Sequence, residues 1–475
     1  MSDLMMRGGD GSEIRIDHGT VATLEAELRG ELLTPESAAY DETRAIWNGM
    51  IDRRPALIAR CAGAEDIVTA VRFAREHGLL ASVRGAGHSI AGNAVSDGAL
   101  MIDLSGMRSV DVDPAGRTAR VGPGATLADV DAATRGHGLA LPMGINSTTG
   151  IAGLTLGGGF GWLTRKHGMT IDSLISAELV TADGERVTAS ESENADLFWA
   201  IRGGGGNFGI VSSFEFRLYP VGPEALCGLI VHRFADASDV LREYRELTAS
   251  APEELAAWVI LRKAPPLPFL PESIHGEEIL VIAAVYSGDV EEGERAMRSL
   301  RAIGDPIADV IAPQPFADFQ QAFDPLLTPG ARNYWKSHDF IKLSDGALDV
   351  MVDYAEKLPT GQCEIFLAHL GGAASRVPMD RTAYPHRDTQ FILNVHTRWD
   401  DEAQDEECVA WARRFFDATA PFATGGVYVN FMPEDETERV RAAYGPNYER
   451  LAKLKKRYDP NNFFRLNQNI RPSAG

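Results

Sequence analysis

The sequence predicts an α+β protein of two domains. Its 475 residues are too many for one ordinary hydrophobic core. Residues 40–220 alternate short helices and strands around glycine-rich connections, whereas the chain beyond Pro220 reads as longer strands joined by helices. We therefore expect one unit at residues 1–220, a second at 221–432 built on a large antiparallel sheet covered by helices, and a separate C-terminal segment at 433–475.

Local signals place the elements of the first unit. Helix patterns occur at residues 20–32, at residues 64–77, where Gly78 ends the helix, and at residues 127–135, which Thr126 caps. Strand patterns occur at residues 56–61, 80–84, 99–104, 109–113 and 118–124, and a turn at residues 182–184 joins two further strands in a hairpin. The helix at residues 64–77 and its flanking strands predict a βαβ start.

Long alternating strands dominate the second unit. Strands are predicted at residues 225–234, 255–262, 278–286, 362–370, 389–399 and 426–432, and helices at residues 236–250, 289–303, 345–357 and 402–418. The strand at 389–399 carries apolar side chains on one side and polar ones on the other, where Asn394, His396 and Arg398 lie together. With His369, Tyr428 and Asn430 on other strands, this second face is interpreted as the wall of a pocket.

Three loops rich in glycine punctuate the chain at residues 84–89, 142–161 and 203–209. Glycine lets the backbone approach a ligand closely, and successive N–H groups can form an anion-binding nest, so the central stretch is interpreted as a phosphate cradle. The third loop matches the dinucleotide fingerprint G-x-G-x-x-G, but a helix pattern enters it and a strand pattern leaves it. That order is the reverse of a Rossmann fold, which we reject.

Charge and cysteine content narrow the function. The formal charge of −21, from 67 acidic and 46 basic residues, argues against nucleic-acid or anionic-membrane partners. Cys61, Cys227, Cys363 and Cys408 are far apart with no zinc-binding spacing, so we expect reduced core residues and no metal site. The N-terminal residues contain no apolar run typical of a signal peptide, and a cytoplasmic protein is the expectation.

Several motifs together resemble the berberine bridge enzyme-like FAD-linked oxidases, a group of the vanillyl-alcohol oxidase superfamily. They are RGAGHS at residues 84–89, TTG at 148–150 with GGGFG at 157–161, DLFWAIRGGGGNFGIV at 196–211, YVN at 428–430 and YDPNNFFR at 458–465. The motifs cover nearly the whole chain in order. The resemblance implies a two-part PCMH-type FAD-binding domain, closed by the C-terminal segment, and a substrate domain with an antiparallel sheet.

The resemblance implies FAD as cofactor, joined by its 8α-methyl carbon to His88. Many relatives carry a second covalent link through a cysteine, but Asn146 stands at that position, so a single link is expected. The other predicted cofactor-binding residues are Arg84, Gly85, Ala86, Gly87, Ser89, Asn93, Pro142, Gly144, Ser147, Thr148, Thr149, Gly150, Gly153, Leu154, Gly158, Gly159, Gly161, Asn207, Gly209, Ile210, Val211, Asn467, Gln468 and Asn469.

Catalytic residues are also assigned by resemblance. Tyr428 matches the tyrosine that takes a proton from the substrate OH or NH while hydride leaves for the flavin. A phenol with a reference pKa near 10 needs its anion stabilised, and His396, Asn430 or His369 could do so. Asn394, His369 and Trp335 are assigned to the substrate pocket, although a solvated sheet face explains the first two equally well. Core packing is the favoured explanation of Trp335.

Thr149 matches a position that controls access of O2 to the flavin in this group, where a valine-sized residue is typical of oxidases. The expected function is therefore an FAD-dependent oxidase that takes hydride from a C–OH or C–NH carbon of a small organic molecule and reduces O2 to H2O2. The alternatives are a dehydrogenase or a carbohydrate oxidase of the same fold, and a flavin-binding protein without catalytic activity. Arg387 fits a family motif but is expected to form a salt bridge.

Overall fold

In the computed structural model, which describes residues 3–222 and 224–474, the first unit contains two sheets, of five and four strands, that are flanked by helices, together with two further pairs of strands. Its strands are β1 Leu4–Arg7, β2 Glu13–Ile16, β3 Glu31–Leu33, β4 Leu57–Arg60, β5 Ala81–Arg84, β6 Leu100–Asp103, β7 Val110–Asp113, β8 Thr118–Val121, β9 Leu139–Ala140, β10 Leu174–Val180, β11 Arg186–Ser190, β12 Ile210–Arg217 and β13 Tyr219–Pro220. Its helices are α1 His18–Glu27, α2 Tyr40–Arg44, α3 Ala64–Glu76, α4 Leu127–Thr134, α5 Ile151–Leu156, α6 Thr164–His167 and α7 Ala195–Ile201.

The two sheets of the first unit confirm an α+β organisation. One has the order β3-β4-β6-β5, in which β6 pairs in parallel with both β4 and β5, so the predicted βαβ unit has a third strand inserted between its two strands. The other has the antiparallel order β11-β10-β12-β8-β7. The third glycine loop lies between α7 and β12, as predicted, which confirms that it is not a Rossmann turn.

The second unit is organised around a large antiparallel sheet. Its strands are β14 Ala225–Arg233, β15 Leu255–Lys263, β16 Glu278–Tyr286, β17 Ala308–Asp309, β18 Ala312–Gln314, β19 Arg332–Phe340, β20 Glu364–His369 and β21 Phe391–Trp399. Its helices are α8 Ala237–Thr248, α9 Val290–Arg301, α10 Phe316–Gln320, α11 Asp345–Ala355, α12 Ala373–Arg376 and α13 Asp405–Thr419. The main path of the sheet is β17-β14-β16-β15-β20-β21-β19.

The two faces of this sheet have different neighbours, as the alternation predicts. Phe391, Leu393 and Val395 on β21 lie in a core that α8, α11 and α13 cover. The intervening Asn394 and His396 face the opposite way, toward the first unit. The sheet therefore presents a row of polar side chains at the junction of the two units.

One predicted element is wrong, another ends earlier than predicted, and several short elements and one long strand have no predicted counterpart. Residues 426–432 form no strand. Val429–Phe431 is a single 3₁₀ turn, and the side-chain amide of Asn430 donates a hydrogen bond to the Leu154 carbonyl of the first unit. The predicted helix 20–32 ends at Glu27 and is followed by β3. Strand β19, whose polar residues resemble a loop, and the N-terminal hairpin β1-β2 are among the elements that were not predicted.

The C-terminal segment packs against the first unit. It contains α14 Val440–Tyr444 and α15 Tyr448–Tyr458, whose buried residues Tyr444 and Leu451 share a core with β8, β10 and β12. The buried Lys455 ammonium donates to the carbonyl of Asn207 at 2.8 Å and to the Asp459 carboxylate at 2.7 Å. This contact ties the last residues of the chain to the third glycine loop.

The cysteines and the longest apolar segments complete the description. All four cysteines are unbonded and buried, which confirms their prediction as reduced core residues. Arg387 forms the expected salt bridge, with two contacts of 2.8 Å to Asp172. Among the described residues, no helix is both long enough and apolar enough to cross a bilayer.

Candidate active site

A cavity of about 380 Å³ lies where the first unit, the large sheet and the C-terminal segment meet. All three predicted glycine loops contribute to its walls, through residues 85–89, residues 144–154 in part, and Gly205, Gly206 and Gly209. The polar face of β21 lies on one side, and Leu466–Gln468 lies on another. The three glycine loops, far apart in the sequence, therefore share one cavity.

The cavity walls leave space for a ligand, and they carry a buried polar atom that no described residue bonds. A Cβ atom on Gly153 or on Gly206 would meet no protein atom within 4 Å, although both glycines line the cavity. Packing against protein therefore does not require glycine at these two positions. The buried Oδ1 of Asn467, also on the wall, has no hydrogen-bond partner among the described residues. An open glycine surface beside an unpaired polar atom is suited to a large polar ligand.

Most of the predicted cofactor residues lie on this wall. They are Gly85, Ala86, Gly87, His88, Ser89, Asn93, Gly144, Asn146, Thr149, Gly150, Gly153, Leu154, Gly209, Ile210, Val211, Asn467 and Gln468. The predicted catalytic residues Tyr428, His396 and Asn430 and the pocket residues Asn394 and Trp335 lie there as well. The site residues from distant parts of the sequence thus converge.

Other members of the predicted set do not line this cavity, and their contact with a cofactor stays a prediction: Arg84, Pro142, Ser147, Thr148, Gly158, Gly159, Gly161, Asn207 and Asn469. Each is used elsewhere. Arg84 contacts Asp103 at 3.3 Å, Ser147 bonds Asp324, and the Pro142 carbonyl accepts from Thr170. A Cβ on Gly161 would lie 1.7 Å from the Met143 carbonyl oxygen, so this glycine serves close packing. Of residues 157–161, Phe160 is the one that lines the cavity.

His88 is held in one ring orientation and one tautomer. Its ring stacks on Trp47 with centroids 4.6 Å apart, and its Nε2 lies 2.9 Å from Oγ1 of Thr148. The backbone N–H of Thr148 donates to Oδ1 of Asn146, which identifies that atom as the acceptor. The Thr148 hydroxyl, 2.8 Å from the same Oδ1, must then donate to it and accept from His88 Nε2–H.

This relay leaves Nδ1 of His88 with its lone pair free. Within residues 3–222 and 224–474, Nδ1 has no hydrogen-bond partner, and the residue lines the cavity. Burial, assisted by the positive charge of Arg398, lowers the pKa of His88 to about 3. The imidazole is therefore neutral at physiological pH, with an available nucleophilic nitrogen beside the cavity.

Tyr428 is buried with its hydroxyl held by two donors. The backbone N–H of Gly159 and the side-chain amide of Asn430 both donate to Oη, each at 3.0 Å. These contacts favour the phenolate, but burial outweighs them and raises the pKa of Tyr428 to about 12. Asn430 therefore has the stabilising role expected of it, and Gly159 supports the tyrosine rather than the cofactor.

His396 has a different partner from the one expected. Its Nδ1 lies 2.8 Å from Oε1 of Glu364, and Glu364 in turn accepts from Arg262 at 2.9 Å. Burial opposes ionisation of Glu364, but Arg262 and His396 outweigh it and lower the pKa of the carboxyl group. The carboxylate accepts Nδ1–H, which directs the unpartnered Nε2 of His396 toward the cavity.

The predicted substrate-pocket residues separate into two groups. Asn394 Oδ1 and Trp335 Nε1 are buried, unpartnered among the described residues and on the cavity wall. His369 was assigned wrongly: its Nε2 lies 2.9 Å from Arg165, and its ring stacks on Phe391, away from the cavity. The alternation on β20 directs His369 away because it lies an odd number of residues from Glu364.

Sequence reasoning missed part of the wall. Phe160, Trp258, Phe366 and Phe431 give the cavity an aromatic surface, and Glu364 was not identified at all. A single glutamate within the apolar run CEIFLAHL was an available signal, since a buried carboxylate needs a cationic partner. The partner itself, Arg262, lies opposite it on β15.

Comparisons with known proteins agree with this geometry. Residues 55–190 match the family described as FAD binding domain, and residues 427–471 match the family described as berberine and berberine like. The chain is 32% identical over 461 residues to (R)-6-hydroxynicotine oxidase of Paenarthrobacter nicotinovorans, covering 94% of this chain and 98% of the relative. It is 31% identical over 458 residues to the FAD-linked oxidoreductase YgaK of Bacillus subtilis, covering 94% and 98%.

Solved structures show the same architecture. The crystal structure of 6-hydroxy-D-nicotine oxidase from Arthrobacter nicotinovorans has a TM-score of 0.85 and 29% identity, covering 94% of this chain and 98% of that one. Xylooligosaccharide oxidase from Myceliophthora thermophila has a TM-score of 0.84 and 26% identity, covering 96% and 100%. The resemblance in fold therefore extends over essentially the whole chain.

Proposed function

Since the chain belongs to the berberine-like family of FAD-linked oxidoreductases, we propose that it is an oxidase whose FAD is linked covalently through His88 alone. It removes hydride from a C–OH or C–NH carbon of a small organic molecule and reduces O2 to H2O2. The observation that carries the proposal is the free Nδ1 of His88 at the cavity wall, fixed by the Asn146–Thr148 relay.

The residues present fit FAD with one covalent link. Glycine loops line a cavity large enough for an extended ligand, and His88 Nδ1 is the nucleophile available to the flavin methyl carbon. Asn146, at the position of the second link in many relatives, is engaged with Thr148. No cysteine lines the cavity among the described residues. These observations support a single attachment point.

Bound FAD supplies the hydride acceptor and the route by which electrons reach oxygen. The chain's residues position the substrate and move its proton. Tyr428 Oη, fixed by Gly159 and Asn430, takes the proton from the substrate OH or NH. The aromatic walls exclude water from the reacting group. The paired catalytic groups are intact, which argues against a protein that only stores flavin.

Thr148 should control the rate at which flavin becomes attached. Thr148→Val removes the hydroxyl, so the tautomer of His88 is no longer fixed. Incorporation of FAD into apoprotein should then slow about 10- to 100-fold, the range known for loss of a group that orients a metal-binding histidine. Thr148→Ser keeps the hydroxyl and should match wild type. Attachment is measured as acid-precipitable flavin against time. Equal rates in the valine and serine variants would show that the relay does not set the tautomer.

Thr149 should set the reactivity toward oxygen. Thr149 lines the cavity, and leucine there would fill space beside the flavin. Flavin reduced with dithionite under anaerobic conditions and mixed with aerated buffer should reoxidise rapidly with one H2O2 per flavin. Thr149→Leu should slow reoxidation about tenfold, a barrier change of about 1.4 kcal/mol. Slow reoxidation of the wild type would favour the dehydrogenase alternative.

A further inference from the structure

A second, smaller cavity of about 60 Å³ adjoins the main one, and we call it the side chamber. Its walls are almost entirely apolar, with Trp162, Leu229, Val281, Phe269 and Phe323 among the lining residues. Its charged lining residues are Arg262 and Glu364, which are paired with each other at 2.9 Å, and Trp162 carries a buried indole N–H that has no partner among the described residues. The chamber therefore offers a ligand apolar contact and no unpaired charge.

One face of the large sheet forms the floor of both cavities. Strand register places Ile279 opposite Arg262, Arg262 opposite Glu364, Glu364 opposite His396, and His396 opposite Trp335. Directly opposed residues point to the same face of a sheet. These five side chains therefore form a single row that begins in the side chamber and ends in the main cavity.

The two ends of this row differ in their hydrogen-bonding state. At the main-cavity end, His396 Nε2, Trp335 Nε1 and the neighbouring Asn394 Oδ1 are buried without partners in the part of the chain that the structure describes. At the chamber end, Ile279 is apolar and Arg262 is already paired. Three buried polar atoms without partners favour a ligand group that bonds them, whereas the chamber offers one indole N–H and otherwise apolar contact, which favours a largely apolar group.

The cavities adjoin each other. Ile145, Leu327, Glu364 and Phe366 line both of them, so a single molecule can contact both. Building on the proposed oxidase function, we propose that the substrate has a hydrogen-bonding head, which carries the reacting C–OH or C–NH group beside His396 and Asn394, and an uncharged apolar tail that occupies the side chamber. An alkyl or aryl group fits this chamber.

A charged or polyhydroxylated tail does not fit. The Arg262–Glu364 pair is satisfied internally, so a charged tail would lose its hydration without gaining a partner. Sugar hydroxyls would face Leu229, Val281 and Phe323, which cannot hydrogen-bond to them. The chamber therefore favours amphiphilic substrates over oligosaccharides.

Binding of 4-n-alkylphenols, from methyl to hexyl, tests this proposal on the holoenzyme by isothermal titration calorimetry. The phenol serves as the head and the alkyl group as the tail. In the wild type, Kd should fall about fourfold for each added methylene, the value for burial of one CH2, until the chamber is filled. A Kd that is independent of tail length would overturn the proposal.

Variants locate the tail. Leu229→Trp should abolish the dependence of Kd on tail length and leave the Kd of 4-methylphenol unchanged, whereas Leu247→Trp, at a similarly half-buried leucine on α8, should behave as wild type. If Leu229→Trp does not fold, Phe269→Ala should instead extend the dependence to longer tails. Wild-type behaviour in whichever chamber variant folds would contradict the proposal.

This experiment separates the chamber from the oxidase function. Calorimetry detects binding without turnover, so it reports on the chamber whether or not flavin is reduced. Tail-dependent binding with no flavin reduction by alkyl-bearing alcohols or amines would contradict the oxidase and leave the chamber standing. Flavin reduction by short alcohols together with tail-independent binding would contradict the chamber and leave the oxidase standing.

Discussion

Replacing Tyr428 by phenylalanine should lower the rate of flavin reduction by about 10²- to 10⁴-fold, the usual contribution of a positioned acid or base. The ring of Tyr428 packs against Phe160 and Phe431 and should remain in place, so flavin content should be unchanged. The rate is measured by anaerobic stopped-flow absorbance with an oxidisable substrate. An unchanged rate would remove Tyr428 from the reaction.

The pH dependence of the same step identifies the base more closely. Burial raises the pKa of Tyr428 to about 12, so below that pH the reactive phenolate is a small fraction that grows about tenfold for each pH unit. The rate of reduction in the wild type should therefore rise steadily through about pH 7 to 10, and the slope should vanish in Tyr428→Phe. A plateau near neutral pH would instead assign proton removal to another group.

Removing the Lys455 ammonium should cause the largest loss of stability. Lys455→Met leaves the buried carboxylate of Asp459 without its cation, and breaking a buried pair from one side costs about 3–5 kcal/mol. The ammonium also donates to the carbonyls of Asn207 and Phe464, so the contact between the C-terminal segment and the third glycine loop should weaken. Flavin should be released at lower urea concentrations than in the wild type.

An exposed lysine on the same helix supplies the control. Lys453→Met changes the same residue type without breaking a buried pair, and its effect should be below about 0.5 kcal/mol. Urea unfolding is followed by flavin fluorescence for both variants. Equal stability of the two would mean that the buried pair does not anchor the segment.

Local composition was sufficient to predict the position of the site. Glycine is needed where a backbone approaches a ligand, so the three glycine loops could be recognised from the sequence, and their convergence is confirmed. The polar residues Asn394 and His396 could likewise be placed on one face because side chains alternate along a strand. These features depend on short stretches of chain.

Features that depend on register between strands could not be predicted. The Arg262–Glu364–His396 contacts join three strands whose pairing no local pattern encodes. Tyr428 and Asn430 were paired correctly for the wrong reason: a turn brings them together through a hydrogen bond of 3.0 Å, whereas a strand had been predicted. The contact of His369 with Arg165 likewise joins positions far apart in the sequence, although alternation along β20 alone places His369 on the face of Ile365 and Leu367.

Acid precipitation of the purified protein shows whether the flavin is attached covalently and whether His88 alone attaches it. We expect the yellow colour to remain in the washed pellet of the wild type and to move into the supernatant for His88→Ala, while Asn146→Ala still yields coloured pellets. Flavin released from the wild-type protein by acid would contradict the covalent link and leave His88 as a residue of the cavity wall.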